Sequence, residues 1–229
     1  MRTTTPLSSI LLDVDEDSPG INVKQKKMNN DFLIIDCTGK NDSIALKVNN
    51  RFFIKKLQTN LTKNETLSLE IDYFIKKHSI KLNGDFSIFI NSGPGSFSGV
   101  RISLAVAKGI QLVKKTNIYS YNNFLLNAAP YLEEKKILYS IQKTNKFYYM
   151  SVGTFKLKYS FTTPEKININ KIQKKETLFI VPDEIKNDAL IKKIDLKKIR
   201  FAEFNLKNID LLIENKLVEN KLIKPLYLS

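Results

Sequence analysis

Residues 90–110 read INSGPGSFSGVRISLAVAKGI and place three of the chain's eight glycines, Gly93, Gly95 and Gly99, within seven positions, just before a helix-like pattern. A strand, a glycine turn and a helix in that order is one way to gather backbone N–H groups around a phosphate. The spacing excludes the two best-known versions. A Walker-type loop needs Lys and then Ser or Thr after its last glycine, and here Val100 and Arg101 follow Gly99. The dinucleotide fingerprint needs its third glycine three positions after the second. Gly95 and Gly99 are four apart, and no acidic residue stands about 20 positions further on. Two readings are left: a general anion-accepting helix N-terminus, or a turn whose glycines allow left-handed or crowded backbone as the chain reverses over a sheet edge.

The remaining groups with chemical potential are sparse. His78 is the single histidine, so it would have to serve any Ser-His-Asp arrangement, and no G-x-S-x-G elbow accompanies it. Its position near the end of a helical pattern suits a helix C-terminal charge or an exposed polar role. Ser96 and Ser98 suit turn and N-cap positions. Asp36 lacks a second anionic partner and is expected to hydrogen-bond the Thr38–Gly39 turn rather than hold a metal. Cys37 is the single cysteine, which rules out an internal disulfide, fits a reducing cytosol and suits a small buried hydrophobe.

The chain has 229 residues, 42% hydrophobic and 10% aromatic, enough for one large core or two packed lobes. Its net charge of +14 comes almost wholly from lysine, since only Arg2, Arg51, Arg101 and Arg200 are arginine. A groove built to grip phosphates would draw more on arginine's planar fork, so the charge predicts weak, salt-sensitive attraction to RNA rather than a specific nucleic-acid site. No apolar run approaches the length of a membrane span. Residues 1–30 read as a flexible polar tail, too poor in apolar residues for a signal-peptide core and too acidic at DVDED for a transit peptide. Met28 stands just before the first strand as an alternative start. A cytoplasmic location is expected.

The elements that must position these groups begin at residue 31. DFLIIDC (31–37), SIALKV (43–48) and RFFIKKL (51–57) are strand-like, and Asn49-Asn50 suits a two-residue hairpin turn. Leu67, Ile71, Phe74 and Ile75 then mark one helical face. FSIFIN (86–91) suits a buried strand, and Ile102, Val106, Gly109, Ile110 and Val113 are expected as the core face of a second helix. NIYSY (117–121) is a short strand, with a helix over 122–132 capped by Asn122 or Asn123. The order βββαβαβ, then α, is that of a ribonuclease H-like lobe, the unit found twice in the actin and sugar-kinase superfamily. KILYSIQ, KFYYMSVGTF and KLKYSFT predict a second meander, TLFIVP a later strand, and 187–194 and 206–217 lysine-rich helices. The fold class expected is therefore α/β, an actin-like pair of lobes over 31–121 and 122–229, the second one small.

GPGSFSGVRISLAVAKGI resembles the GPGSFTGVRIG…AKG signature of the bacterial TsaB (YeaZ) family, a subunit of the machinery that makes threonylcarbamoyladenosine in tRNA. LIIDCTGKNDSIAL is similar to that family's AIDTST…SVAL, YSIQKTNKFYYM to its IDARMGEVY, and the terminal KPLYLS to P-x-YLR. Together these span about residues 31–155 and the last few. The resemblance implies a noncatalytic partner of TsaD, which carries the metal-dependent active site, acting alongside the ATPase TsaE. It places the signature at Gly93, Pro94, Gly95, Ser96, Phe97, Ser98, Gly99 and Arg101, and puts Gln142 where a catalytic relative of the superfamily needs an acid for magnesium. No Gly-Gly pair exists to admit an adenosine. This chain alone is thus expected to bind no cofactor, with ATP handled by its partners and tRNA met through the complex.

The resemblance further implies that helices at about 63–79 and 98–114 pack against matching helices of TsaD or of a second copy. Leu69, Tyr73, Leu104, Ala105, Lys108 and Leu112 lie off the expected core stripes and are the candidate interface. An autonomous actin-fold ATPase or phosphotransferase using Asp36, and a basic RNA-binding module, are the competing readings.

Overall fold

The computed structural model describes residues 31–39, 42–57, 63–134, 136–155, 158–167, 177–220 and 223–228, so the stretch expected as a polar tail lies outside the described residues. The first sheet comprises β1 (Phe32–Asp36), β2 (Ser43–Val48), β3 (Arg51–Lys56), β4 (Ser87–Asn91) and β5 (Asn117–Tyr121). Its order is β3-β2-β1-β4-β5, with β1–β3 antiparallel neighbours and β1, β4 and β5 parallel. Asn49 and Asn50 have φ values of 50° and 61°, the doubly left-handed geometry that a tight hairpin asks for and asparagine tolerates.

Strand β1 is buried throughout because both of its faces are covered. Phe32 and Ile34 join Phe89 in one core, and Leu33 and Ile35 join Ile88 and Ile90 in another. Helices α1 (Lys63–Lys77) and α2 (Phe97–Lys114) cover the second of these faces, and the Leu67–Ile71–Phe74–Ile75 stripe points into it as expected. The first face packs on α3 (Asn123–Ala128), α4 (Ile209–Glu214) and a second sheet. Lys47 on β2 reaches across to Asp210 on α4 at 2.7 Å.

The second sheet contains β6 (Ile137–Lys143), β7 (Phe147–Phe155), β8 (Lys158–Phe161), β9 (Glu165–Lys166), β10 (Thr177–Pro182) and β11 (Ile199–Ala202). Its path β11-β10-β6-β7-β8 repeats the first sheet's plan: an antiparallel meander with two parallel strands added beside its first member. The expected meander and later strand are present, and β11 is an addition that the sequence did not announce. Among the described residues, no helix is long and apolar enough to cross a membrane.

Two helical expectations need correction. The stretch 187–194 holds only a three-residue turn of 3-10 helix, Ile191–Lys193, because Asp188 accepts the Leu190 N–H two residues on and closes a short turn instead. The stretch 206–217 divides into a 3-10 turn, Leu206–Asn208, and the short α4. The face of α2 is also shifted. Its buried residues are Gly99, Val100, Ser103 and Ala107, whereas Ile102, Val106 and Ile110 are half-buried and Gly109 and Val113 are exposed. Small side chains let this helix sit close on the sheet, and the larger ones fall at its margin towards α1.

Candidate functional site

The parallel strands β1, β4 and β5 end together, the edge at which open α/β sheets build their sites. Asp36, Asn91 and Tyr121 are the last residues of those strands. The Asp36 Oδ1 accepts the Thr38 hydroxyl at 2.7 Å and the Thr38 N–H at 3.1 Å. Its Oδ2 accepts Asn91 Nδ2 at 2.7 Å and the Tyr121 hydroxyl at 3.1 Å. A carboxylate has about four lone-pair positions, and protein donors fill all of them. Burial pushes the Asp36 carboxyl above its ordinary value while these hydrogen bonds pull the other way. Burial, then the Asp36 charge, hold the Tyr121 hydroxyl well above the usual phenol range. The Asx-type turn expected at Asp36 is present, with Gly39 N–H donating instead to Asp42 Oδ1.

Asn91 extends the network into the glycine turn. Its Nδ2 also donates to Asn123 Oδ1 at 2.6 Å, and its own Oδ1 accepts the Gly93 N–H at 2.9 Å. Asn123 Nδ2 donates to the Pro94 carbonyl at 2.9 Å, while Asn122 caps α3 by accepting the Leu125 N–H. Gly93 has φ 109°, and the Gly93–Pro94 bond is cis. Gly95 and Gly99 lie so close to the strand that a Cβ there would stand 2.0 Å from the Thr38 carbonyl oxygen and 1.8 Å from that of Cys37. Ser96 donates its N–H to Thr38 O, and its side chain and carbonyl accept the N–H groups of Gly99 and Val100. The turn spends these donors on its own chain, as a crowded reversal does and an anion cradle does not.

The C-terminal stretch straps this turn from outside. Leu226 N–H donates to Ser92 O at 2.7 Å, and Tyr227 packs on Phe97 with ring centroids 4.9 Å apart. Arg101 lies over the same Phe97 ring at 4.9 Å, which places it on the loop. Cys37 is buried, as expected. His78 stands just past the last residue of α1 and is half-buried rather than exposed, its ring 4.1 Å from Phe53 and 5.0 Å from Phe74, because β3 runs beside the end of α1.

Most of the helix candidates are exposed. Leu69 and Tyr73 of α1 are 68% and 60% exposed, and Leu112 and Val113 of α2 are each 74% exposed. Ala105 and Lys108 are exposed, and Leu104 is half-buried against the core beneath. Between the helices a mostly apolar groove of about 270 Å³ is lined by Ile71, Ile75, Val106, Gly109, Ile110 and Val113. Separately, a cleft of about 340 Å³ with mixed polar and apolar walls opens between the two sheets, Asp36, Asn127, Gln142, Lys143, Glu184 and Phe204 among them. Gln142 Nε2 makes a long contact, 3.4 Å, to the Asn123 carbonyl. Asn91, Tyr121 and Asn127 were not read as site residues from sequence. They are neutral groups scattered over separate elements: the strand order brings Asn91 and Tyr121 together at Asp36, and Asn127 reaches the cleft from α3.

Two sheets of ribonuclease H-like order meeting at a cleft, with a buried aspartate at the end of the first strand, define a protein of the two-lobed actin-like class. Within it, the chain is similar to YeaZ from Pseudomonas aeruginosa at a TM-score of 0.61 and 13% identity, over 87% of this chain and 100% of that one. A second structure from that organism, an uncharacterized protein with similarity to peptidase YeaZ, matches at 0.61 and 13% over 88% and 100%. In sequence, the chain is 37% identical over 109 residues to the tRNA threonylcarbamoyladenosine biosynthesis protein TsaB of Buchnera aphidicola subsp. Baizongia pistaciae. That match takes in 46% of this chain and 48% of the relative, so it spans about half the relative's length. No protein-family model matches the chain. The resemblance to the TsaB (YeaZ) family is borne out, in fold by the solved structures and in sequence by this relative.

Proposed function

We propose that the chain is a TsaB-type subunit of the machinery that makes threonylcarbamoyladenosine in tRNA, binding and stabilising a TsaD-like catalytic subunit and making no bond itself. The observation that carries this reading is the exposure of Leu69 and Tyr73 on α1 and of Leu112 and Val113 on α2, with Val113 also lining the apolar groove between the two helices. Fully burying a side chain of this size contributes about 1.5–3 kcal/mol, so a pair of partner helices laid over these exposed side chains gains enough to hold. Leu69, Tyr73, Leu104, Ala105, Lys108 and Leu112 form the contact, and the 93–99 turn sets the angle at which α2 is launched towards it. Lobes over 31–121 and 122–229 complete the scaffold.

The noncatalytic part of the reading is supported by the floor of the cleft. Asp36 is filled by four protein donors, and the facing residue is the neutral Gln142. Transfer of threonylcarbamoyl to the adenosine N6 then belongs to the TsaD-like partner and ATP turnover to a TsaE-like ATPase, with tRNA met through the assembled complex in the cytoplasm. The test is to mix the purified chain with its cognate TsaD-like protein, measure mass by light scattering, and assay the tRNA modification after depletion. A one-to-one complex and a fall in modification are expected. Absence of a complex together with unchanged modification overturns the proposal, as does magnesium-dependent ATP turnover by the chain alone that Asp36→Ala abolishes.

A further inference from the structure

The cleft between the sheets holds one side chain that neither the hydrogen-bond network nor the docking face uses. Asn127 lies on α3 among Phe124, Leu125, Leu126 and Ala128, all buried, and is itself only 6% exposed. It lines the cleft, and its carboxamide makes no hydrogen bond among the described residues. The amide atoms keep access to the cleft, while the rest of the side chain is buried among apolar neighbours, so hydrogen bonding to whatever fills the cleft is the one polar role open to it.

We infer that the cleft binds an uncharged ring compound carrying an amide or lactam edge, with Asn127 reading that edge. A carboxamide offers one donor and one acceptor side by side, the complement of another amide. Gln142 lines the same cleft, and its Nε2 is committed only to the long contact with Asn123. Phe204, Ile185 and Pro94 supply apolar wall for a flat ring. The charge of the lining selects against anions. Lys143 is its one basic member and is held by Asp188 at 2.6 Å, whereas Asp36 and Glu184 are both acidic. A volume of about 340 Å³ falls within the ~300–1,000 Å³ typical of small-molecule sites.

Saturation-transfer NMR on the whole chain with uracil, nicotinamide and UMP tests the assignment, alongside thermal melts of Asn127→Leu and Gln142→Leu. Transfer to uracil or nicotinamide with millimolar Kd is expected, and weaker binding of UMP. Asn127→Leu should weaken the neutral probes by about tenfold, the worth of one hydrogen bond, and raise Tm by roughly 2–4 °C. Gln142→Leu, at a half-buried position, should weaken them severalfold with Tm unmoved. No transfer to either neutral probe, tighter binding of UMP than of uracil, or a Tm that falls in Asn127→Leu overturns the inference.

Discussion

Asn91 Nδ2 stands 2.7 Å from Asp36 Oδ2 and 2.6 Å from Asn123 Oδ1, so a single amide ties the ends of β1 and β4 to the start of α3. Its carbonyl oxygen meanwhile holds the Gly93 N–H at the entry to the turn. Replacing it with leucine leaves a buried carboxylate short of a donor and frees the turn from the strand. Asn91→Leu is expected to lose about 2–4 kcal/mol in urea unfolding, the cost of several buried polar groups left unpaired. A loss below about 1 kcal/mol would show that Thr38 and Tyr121 suffice to hold Asp36.

The glycines divide by what surrounds them. A Cβ on Gly99 meets the Cys37 carbonyl oxygen at 1.8 Å and one on Gly95 meets that of Thr38 at 2.0 Å, and both obstacles are backbone. Gly99→Ala and Gly95→Ala must push α2 off the sheet and should each lose about 1–3 kcal/mol. A Cβ on Gly109 meets nothing within 4 Å, so Gly109→Ala should gain about 0.5–1 kcal/mol from helix propensity alone. Parallel urea titrations of the three variants decide the matter, and equal effects at 99 and 109 would contradict this division.

These contrasts also mark how far the sequence could be read. The apolar runs of β1 and β4, the Asn49-Asn50 turn and the Leu67–Ile75 stripe were legible because side-chain period and turn chemistry are local properties. The core face of α2 was not. Three of its four buried residues, Gly99, Ser103 and Ala107, carry almost no hydrophobic signal, so the stripe was centred on Ile102, Val106 and Ile110, which pack at the core's margin, and ran on to the exposed Val113. The crossover from β10 to β11 was likewise misread, since Asp188 and Asp195 close 3-10 turns where apolar spacing alone suggests a helix. At the site, the glycine turn announced itself, but Asn91, Tyr121 and Asn127 did not. No spacing rule links residues that only the strand order and the placing of α3 bring to one cleft.

Tyr121 gives the fold a specific alkaline limit. Its hydroxyl is buried against the Asp36 carboxylate, and its pKa in the folded chain is well above the value of about 10 that it takes when unfolded. The raised value means that the folded state keeps a proton which the unfolded state releases. This contribution to stability is complete below pH 10 and is lost as pH rises from there towards the folded value. In urea titrations run at pH 7 and at a series of pH values above 10, Tyr121→Phe should lower stability at pH 7 by about 1 kcal/mol and flatten the alkaline decline by up to ~1.4 kcal/mol per pH unit. An unchanged alkaline slope would place the decline on other groups, Tyr149 among them, which burial and Glu165 push up to about 12.

The proposed docking through α1 and α2 makes a demand that stability cannot mimic. Leu112 and Val113 are each 74% exposed, so a charge at either position disturbs little in the isolated chain. Leu112→Glu and Val113→Glu should change unfolding free energy by no more than about 0.5 kcal/mol. Carried into an apolar helix interface, the same carboxylate must be desolvated without a partner, and affinity for the TsaD-like subunit should fall tenfold or more. Lys146, exposed in the β6–β7 turn on the second sheet, provides the control: Lys146→Glu alters the net charge by the same sign and should leave the complex intact. Titration calorimetry on the three variants separates a local apolar contact from general charge attraction. If all three weaken the complex alike, and added salt weakens the wild-type complex to the same degree, the partner is held by the chain's +14 charge rather than by this face.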